Sequence, residues 1–468
     1  MKPNCRGTPV LALVLMTCLA SLCRAENWPQ WRGPFHNGST TEKPLPESLA
    51  KENIVWTAAM PGPGAATPIV WNDRVFVSAV DRQTKDLLAV CVSVKDGSVL
   101  WQKPAGKDRT APSNDMASPS AVTDGNTVFF YYGTGDLAAF DYDGKCLWSR
   151  GIEKDYGNLA CKFGYSSSPL LYGGKLYILV LRRPKVYRAP PADKPLDSFL
   201  LAIDPKTGKD LWKHVRPTDA VDEDFESYNT PIPYEGKDRK EIIIHGGGYV
   251  TGHDPDTGKE FWRYGYNPRK ERYWRLVAGP ATGNGLIFGY TPRRNSPIFA
   301  IKAGGTGKLG PECLAWTIPE PSPDVCCPLY YQDMLYILNG DRKTIACVDP
   351  NTGKAKWQGS LVLEGTGVEP KRAEPTFFAS VSPGGDPVFR ASATAADGKI
   401  YCIDEQGNVI VLAAGDAFRV LAHFIISGEG PCRASIAIAN GKLFIRGAKN
   451  LYCLSVAGKK SPSGSAQP

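Results

Sequence analysis

The side chains able to do chemistry are few and widely spaced. Asp115 and Asp324 are carboxylates that could serve as a general base. Arg275, Arg390 and Arg433 carry planar guanidinium forks that suit carboxylate or phosphate. Tyr165, Tyr228 and Trp274 offer rings for stacking on a planar or sugar ligand, and Asn229 offers an amide. Cys326 and Cys327 are adjacent, so they could close a vicinal disulfide or stand as two thiols. Each feature has a structural alternative. The arginines could pair with Asp115, Glu226 and Asp324 in a water-filled polar channel. Cys327 also falls in a slot that Ser168, Ser118 and Thr67 fill elsewhere, where a small packed residue suffices. His253 takes the place of the strand residue Ile203, which points to a packed imidazole rather than a metal ligand, and no metal centre is expected. Nucleophile-elbow, HExxH, CxxC and CxxCH motifs do not occur.

What positions these residues is a repeat. "LLAIDPKTGKDLW" at 200–212 returns as "VTGHDPDTGKEFW" at 250–262 and "IACVDPNTGKAKW" at 345–357. In each copy Asp and Pro open a tight turn and Gly supplies its left-handed residue, while flanking alternation of apolar residues marks two strands. Trp212, Trp262 and Trp357 project from one place on the second strand and suit a wedge against the next repeat. Degenerate copies end at Trp101, Trp148 and Trp316, and a seventh at 411–421 lacks the tryptophan. An upstream hairpin, such as "SSPLLYGGKLYILV" at 167–180, occurs eight times. Four strands per unit, repeated every 40 to 60 residues or so, predict an all-β, eight-bladed β-propeller with four-stranded antiparallel blades. The last unit lacks an outer strand, and "NIVWTAAM" at 53–60 can supply it and close the ring.

The domain reading follows: 1–25 as a signal peptide, 26–52 as an N-terminal extension, 53–458 as the propeller and 459–468 as a disordered tail. Lys2 and Arg6 precede an apolar run from Val10 to Leu22, too short for a stable transmembrane segment and followed by a cleavage site after Ala25. The expectation is a periplasmic or secreted monomer. Removing that segment lowers the formal charge from +8 to +5, far from the dense basic field of a nucleic-acid binder, so no nucleic acid is expected as partner. Long connections at 182–197, 216–229, 263–278 and 361–389 should emerge on one face, with the short turns on the other. Residues preceding each first strand should point into the central funnel on the long-loop face. Asp115, Tyr165, Glu226, Tyr228, Asn229, Trp274, Arg275, Asp324, Arg390 and Arg433 are placed there by register.

The phrase AxDxxTGKxxW resembles the tryptophan-docking repeat of pyrroloquinoline quinone (PQQ)-type propellers over residues 53–458. The opening "NWPQWRGPFHNG" at 27–38 resembles the segment that precedes the propeller in secreted members of that group. The repeat is shared by quinoprotein dehydrogenases and by noncatalytic scaffolds such as the outer-membrane β-barrel assembly lipoprotein, so the resemblance does not select an activity. Three readings remain open. The preferred one is an exported binding or scaffold propeller that holds a protein, a cell-envelope polymer or a small anionic ligand. A second is a dehydrogenase of alcohols or sugars, in which the resemblance implies PQQ with Ca²⁺ in the funnel and a vicinal disulfide beside the cofactor. Against it, no calcium-ligand set or long catalytic insertion is identifiable. The third is a carbohydrate-binding or carbohydrate-active propeller.

Overall fold

In the computed structural model, residues 26–109, 114–185, 196–292, 297–319, 322–362, 388–426 and 428–456 are described. The signal-peptide and tail expectations, and much of the two longest loops, lie outside them. The chain forms eight antiparallel sheets, one per repeat, arranged as the blades of a propeller. Blade 1, for example, consists of Ile69–Trp71, Arg74–Val80, Asp86–Ser93 and Val99–Lys107. Blades 2 to 8 begin at Val122, Leu170, Ile232, Ala281, Leu329, Thr394 and Ala437. Blade 8 is completed by the N-terminal strand Ile54–Ala59, which pairs antiparallel with Asn450–Ser455.

The docking tryptophans explain why the repeats adhere. Trp56, Trp101, Trp148, Trp316 and Trp357 each donate the indole N–H to a backbone carbonyl in the hairpin of the following blade: Val94 (2.9 Å), Tyr142 (3.1 Å), Pro205 (2.9 Å), Pro350 (2.8 Å) and Gly415 (2.8 Å). Trp56 therefore locks blade 8 onto blade 1. In four of these joints the indole lies on the left-handed turn glycine, Gly97, Gly144, Gly208 or Gly353, where a Cβ would come within about 2.7–2.8 Å of the ring. The residue paired with each tryptophan on the third strand is small: Cys453, Cys91, Ala139, Ala202, Gly252, Ala300 and Cys347 for Trp56, Trp101, Trp148, Trp212, Trp262, Trp316 and Trp357. Three strand cysteines are thus space-saving partners of an indole, which accounts for their burial as free thiols.

Blade 4 departs from the repeat. Its sheet has a fifth strand, Gly307–Leu309, running parallel to Glu260–Gly265. Blade 5 lacks the DPxTGK turn and inserts these residues instead. Trp262 still packs between blades 4 and 5, but its N–H turns to Glu241 Oε2 (2.6 Å) in its own sheet. In blade 7 Ala422 stands at the tryptophan position.

A belt of hydrogen bonds defines the register of the inner strands. The N–H of Thr67 donates to Ser120 Oγ, Ser120 N–H to Ser168 Oγ, and Ser168 N–H to Thr230 Oγ1. On the far side Gly279 N–H donates to Cys327 Sγ, Cys327 N–H to Ser392 Oγ, and Ser392 N–H to Ser435 Oγ. The small-residue slot is therefore an acceptor for the preceding blade's backbone, and in blade 2 Ser120, not Ser118, fills it.

Candidate functional site

The belt fixes which residues reach the channel. Two positions before it stand Ala65, Ser118, Ser166, Tyr228, Val277, Val325, Arg390 and Arg433, all but Tyr228 partly exposed. Five blades thus present short side chains, and the adjacent blades 7 and 8 present arginines. The N-terminal extension crosses the short-turn end of the propeller. Trp28 pairs with Val70 of blade 1, Pro29 accepts from Thr123 N–H of blade 2, and Ser39 pairs with Ala395 of blade 7. Arg32, 3% exposed, donates to the carbonyls of Asn37, Pro328 (2.8 Å) and Ala393 (2.9 Å) between blades 6 and 7. Leu45 N–H and Gly441 N–H tie the segment to the turn residue Asp397 and to Glu42. The N-terminal extension therefore runs across the short-turn face and touches blades 1, 2, 6, 7 and 8, on the side away from the long loops.

At the long-loop face the expected arginines are neutralised in pairs. Arg275 Nη2 lies 3.1 Å from Asp324 Oδ2, Arg390 Nη1 2.8 Å from Asp341 Oδ1, and Arg433 Nε 2.7 Å from Glu405 Oε1. Arg275 also lies over the Phe163 ring. Asp324 and Glu405 lie close enough to act electrostatically on Arg390, and Arg433 and Arg446 act so on Asp115. The result is a chain of alternating charge running from blade 5 to blade 2. Asp115 Oδ1 and Asp324 Oδ1 are buried without a hydrogen bond. Burial raises the Asp115 pKa, against the opposing pull of an Ala117 backbone hydrogen bond and the two arginines.

Other expected site residues belong to the wall. Tyr165 is buried and donates to the Leu179 carbonyl, and Tyr228 donates to Glu226. Asn229 gives its amide to Ser227 Oγ (2.8 Å) and the His245 carbonyl (2.6 Å). Trp274 packs against the cluster between blades 4 and 5. Glu226 is fully buried and takes Arg183, not a funnel arginine. Cys326 and Cys327 stand as separate thiols with different partners. Cys326 Sγ points to the carbonyls of Phe389 and Ala391, while Cys327 Sγ receives Gly279 N–H. Burial pushes the Cys326 thiol well above its usual pKa, which favours the protonated form.

Sequence reasoning missed Asp341, Glu405, Arg183 and Asp224. Asp224 joins two loops of the open face. Its carboxylate accepts from Asn267 Nδ2 (2.8 Å) and Tyr266 OH (3.4 Å), and burial pushes its pKa up to about 6. Because this value lies above the unfolded reference of about 3.9, the folded state binds the extra proton. The Asp224 contribution to stability is therefore full below about pH 4 and is lost as pH rises through 6. Unfolding by denaturant at pH 7 and pH 5 should show wild type gaining stability on acidification relative to Asp224→Asn. Between those two pH values the difference is about 1.3 kcal/mol, and the full value of about 3 kcal/mol is reached only below about pH 4. Equal pH dependence in both proteins would contradict this assignment.

The family model for outer membrane protein assembly factor BamB matches residues 49–185, 158–359 and 246–460. Quinohemoprotein alcohol dehydrogenase ADH IIB of Pseudomonas putida is 24% identical over 297 residues, covering 58% of this chain and 37% of that protein. Polyvinylalcohol dehydrogenase of Sphingopyxis sp. (strain 113P3) is 26% identical over 217 residues, 45% of this chain and 30% of that protein. The chain thus matches only about a third of the length of these curated relatives. Among solved structures, europium-containing methanol dehydrogenase superposes with a TM-score of 0.64 at 10% identity, over 91% of this chain and 90% of that one. BamB from Moraxella catarrhalis superposes with a TM-score of 0.55 at 12% identity, over 87% and 99%. Those two likenesses are of fold alone. Repeat, blade count and family match agree, and the chain belongs to the BamB-type family of PQQ-repeat propellers, which is related to the quinoprotein dehydrogenases.

Proposed function

We propose that this chain is an exported binding or scaffold propeller that holds a ligand or partner at its long-loop face and in the funnel beneath. The observation that carries this reading is the state of the funnel charges: Arg275, Arg390 and Arg433 each already face a carboxylate. Such a surface is polar and pre-ordered, suited to recognition by exchange of hydrogen bonds.

The relatives' names raise PQQ and a metal as an alternative, and the donor set tests it. Asp115 and Asp324 do have oxygens without a hydrogen bond, but they stand on the connections into blades 2 and 6. Among the described residues, the one group of three Asp, Glu, His or Cys ligand atoms lies outside the funnel, so a Ca²⁺ there would rest on single carboxylates with amide, carbonyl and water oxygens, and no oxidation step is assigned.

The test is reconstitution of the mature chain with PQQ and Ca²⁺, followed by gel filtration. We expect no retained quinone absorbance and no dye-linked oxidation of alcohols or sugars. In parallel, an array of glycans and anionic envelope polymers should show binding that falls when Arg390 and Arg433 are both changed to alanine. Stoichiometric quinone uptake with turnover would replace this reading by the dehydrogenase one.

A further inference from the structure

Away from the funnel, the seam between blades 3 and 4 gathers the residues of a metal site. His214 lies on the outer strand of blade 3, Asp210–Val215, two positions beyond Trp212 and so on the same strand face. His253 ends the third strand of blade 4, Tyr249–His253, and pairs in register with Glu260, the first residue of that blade's next strand. A ring nitrogen of each histidine and one Glu260 oxygen all lie within 4.8 Å of one another. The two imidazoles meet edge to face with centroids 5.3 Å apart.

Local hydrogen bonds prepare these groups as ligands. His253 Nδ1 faces the Gly258 carbonyl at 3.0 Å, and since a carbonyl only accepts, Nδ1 carries the proton. The lone pair is then on Nε2, where it meets the rotatable Thr251 hydroxyl at 2.9 Å. A carbonyl behind the ring is the common outer-shell partner of a metal-bound histidine. Glu260 is gripped by Arg263 through both oxygens, at 2.5 and 2.7 Å, and each oxygen keeps a second lone pair. His214 and Glu260 are only partly buried, so an ion can reach them from solvent.

The same seam lacks the indole-to-carbonyl bond found at five others. Trp212 wedges onto Gly258, yet its indole N–H has no acceptor. The Pro255 carbonyl, equivalent to Pro205 and Pro350 elsewhere, receives Tyr177 OH at 2.8 Å instead. Opposing any cation are Arg263 and the buried Arg216, whose guanidinium is spent on the Gly246 and Tyr249 carbonyls and Thr251. That positive field disfavours hard ions such as Ca²⁺ and Mg²⁺ and leaves only ions that bind imidazole strongly.

We propose that His214, His253 and Glu260 form a site for a divalent transition ion of the zinc type, with water completing the coordination, which staples blade 3 to blade 4. The test uses the mature chain with its thiols alkylated, so that Cys146, Cys161 and Cys313 cannot compete. Zn²⁺ calorimetry should show one site, and the melting midpoint should rise with the logarithm of Zn²⁺ concentration but not with Mg²⁺. Co²⁺ should give visible absorption without a thiolate charge-transfer band. His214→Ala should weaken Zn²⁺ binding at least tenfold and abolish the metal-dependent rise in midpoint, and His214→Gln, closer in volume, serves if the alanine variant folds poorly. Arg263→Gln should tighten binding, because it removes a cation and releases Glu260. No Zn²⁺ uptake by wild type, or equal affinity in a folded His214 variant, would overturn the proposal.

Discussion

Removal of residues 26–60 is expected to lower the unfolding midpoint sharply and to replace one cooperative transition by a broad one. The deletion takes the strand Ile54–Ala59 from blade 8 and leaves Asn450–Ser455 as an unpaired edge. It also removes Trp56, 6% exposed, whose indole bonds the Val94 carbonyl across the seam between blades 8 and 1. Truncating a buried tryptophan costs about 3–5 kcal/mol, against a total stability of about 5–15 kcal/mol for a typical domain. The hydrogen bonds of Arg32 to the Ala393 and Pro328 carbonyls are lost with it. Trp56→Ala separates the contributions, since it keeps the strand and these bonds and should lose only the wedge, about 3–5 kcal/mol. Calorimetry at matched scan rate reads both variants. An unchanged melt of the deletion protein would show that the ring does not depend on this closure.

The fold was legible because a propeller writes its geometry once per blade. The DPxTGK turn, the small slot and the tryptophan recur at fixed spacing, so a single hairpin reading becomes eight. Even the missing outer strand could be located, since Trp56 precedes Trp101 by nearly one repeat. Legibility stopped where a blade broke its own pattern. Nothing in "KAGGTGKLGPECLAW" says that Gly307–Leu309 leaves blade 5 to run beside Trp262, because strand exchange between neighbours is decided by packing rather than by local propensity.

The site was harder, for two physical reasons. Register shifts of two residues are invisible in an irregular first strand, so the sequence points to Ser118 where the structure places Ser120 in the belt. Charge partners come from different blades, and sequence carries no distance between blades. Thus Arg275 with Asp324 was foreseeable from the funnel list, whereas Asp341 and Glu405 sit in short loops of neighbouring repeats that showed no functional signal. The cysteines gave opposite lessons. Cys327 read correctly as a small packed residue, while Cys91, Cys347 and Cys453 found their role only when the strand register set each beside an indole.

The wedge itself makes the second large prediction. Trp316→Ala should destabilise by about 3–5 kcal/mol, because the indole is buried, stacks on Phe288 and donates to Pro350 at 2.8 Å. Trp212→Ala should cost about 1 kcal/mol less, since its N–H has no acceptor to lose. The turn glycine reports the same contact from the other side. Gly353 has φ +72° and a Cβ there would stand about 2.8–3.1 Å from the Trp316 ring, whereas Gly173 has φ +57° and open space. Gly173→Ala should therefore cost only the left-handed backbone, about 1–2 kcal/mol. Gly353→Ala should cost that plus about 1–3 kcal/mol of overpacking. In a Trp316→Ala background the indole is gone, so the Gly353→Ala cost should fall back to the Gly173→Ala value. This non-additivity, measured by denaturant unfolding of the four proteins, isolates the indole–glycine contact from generic core loss. Additive costs would mean that the tryptophans fill space without locking one blade to the next.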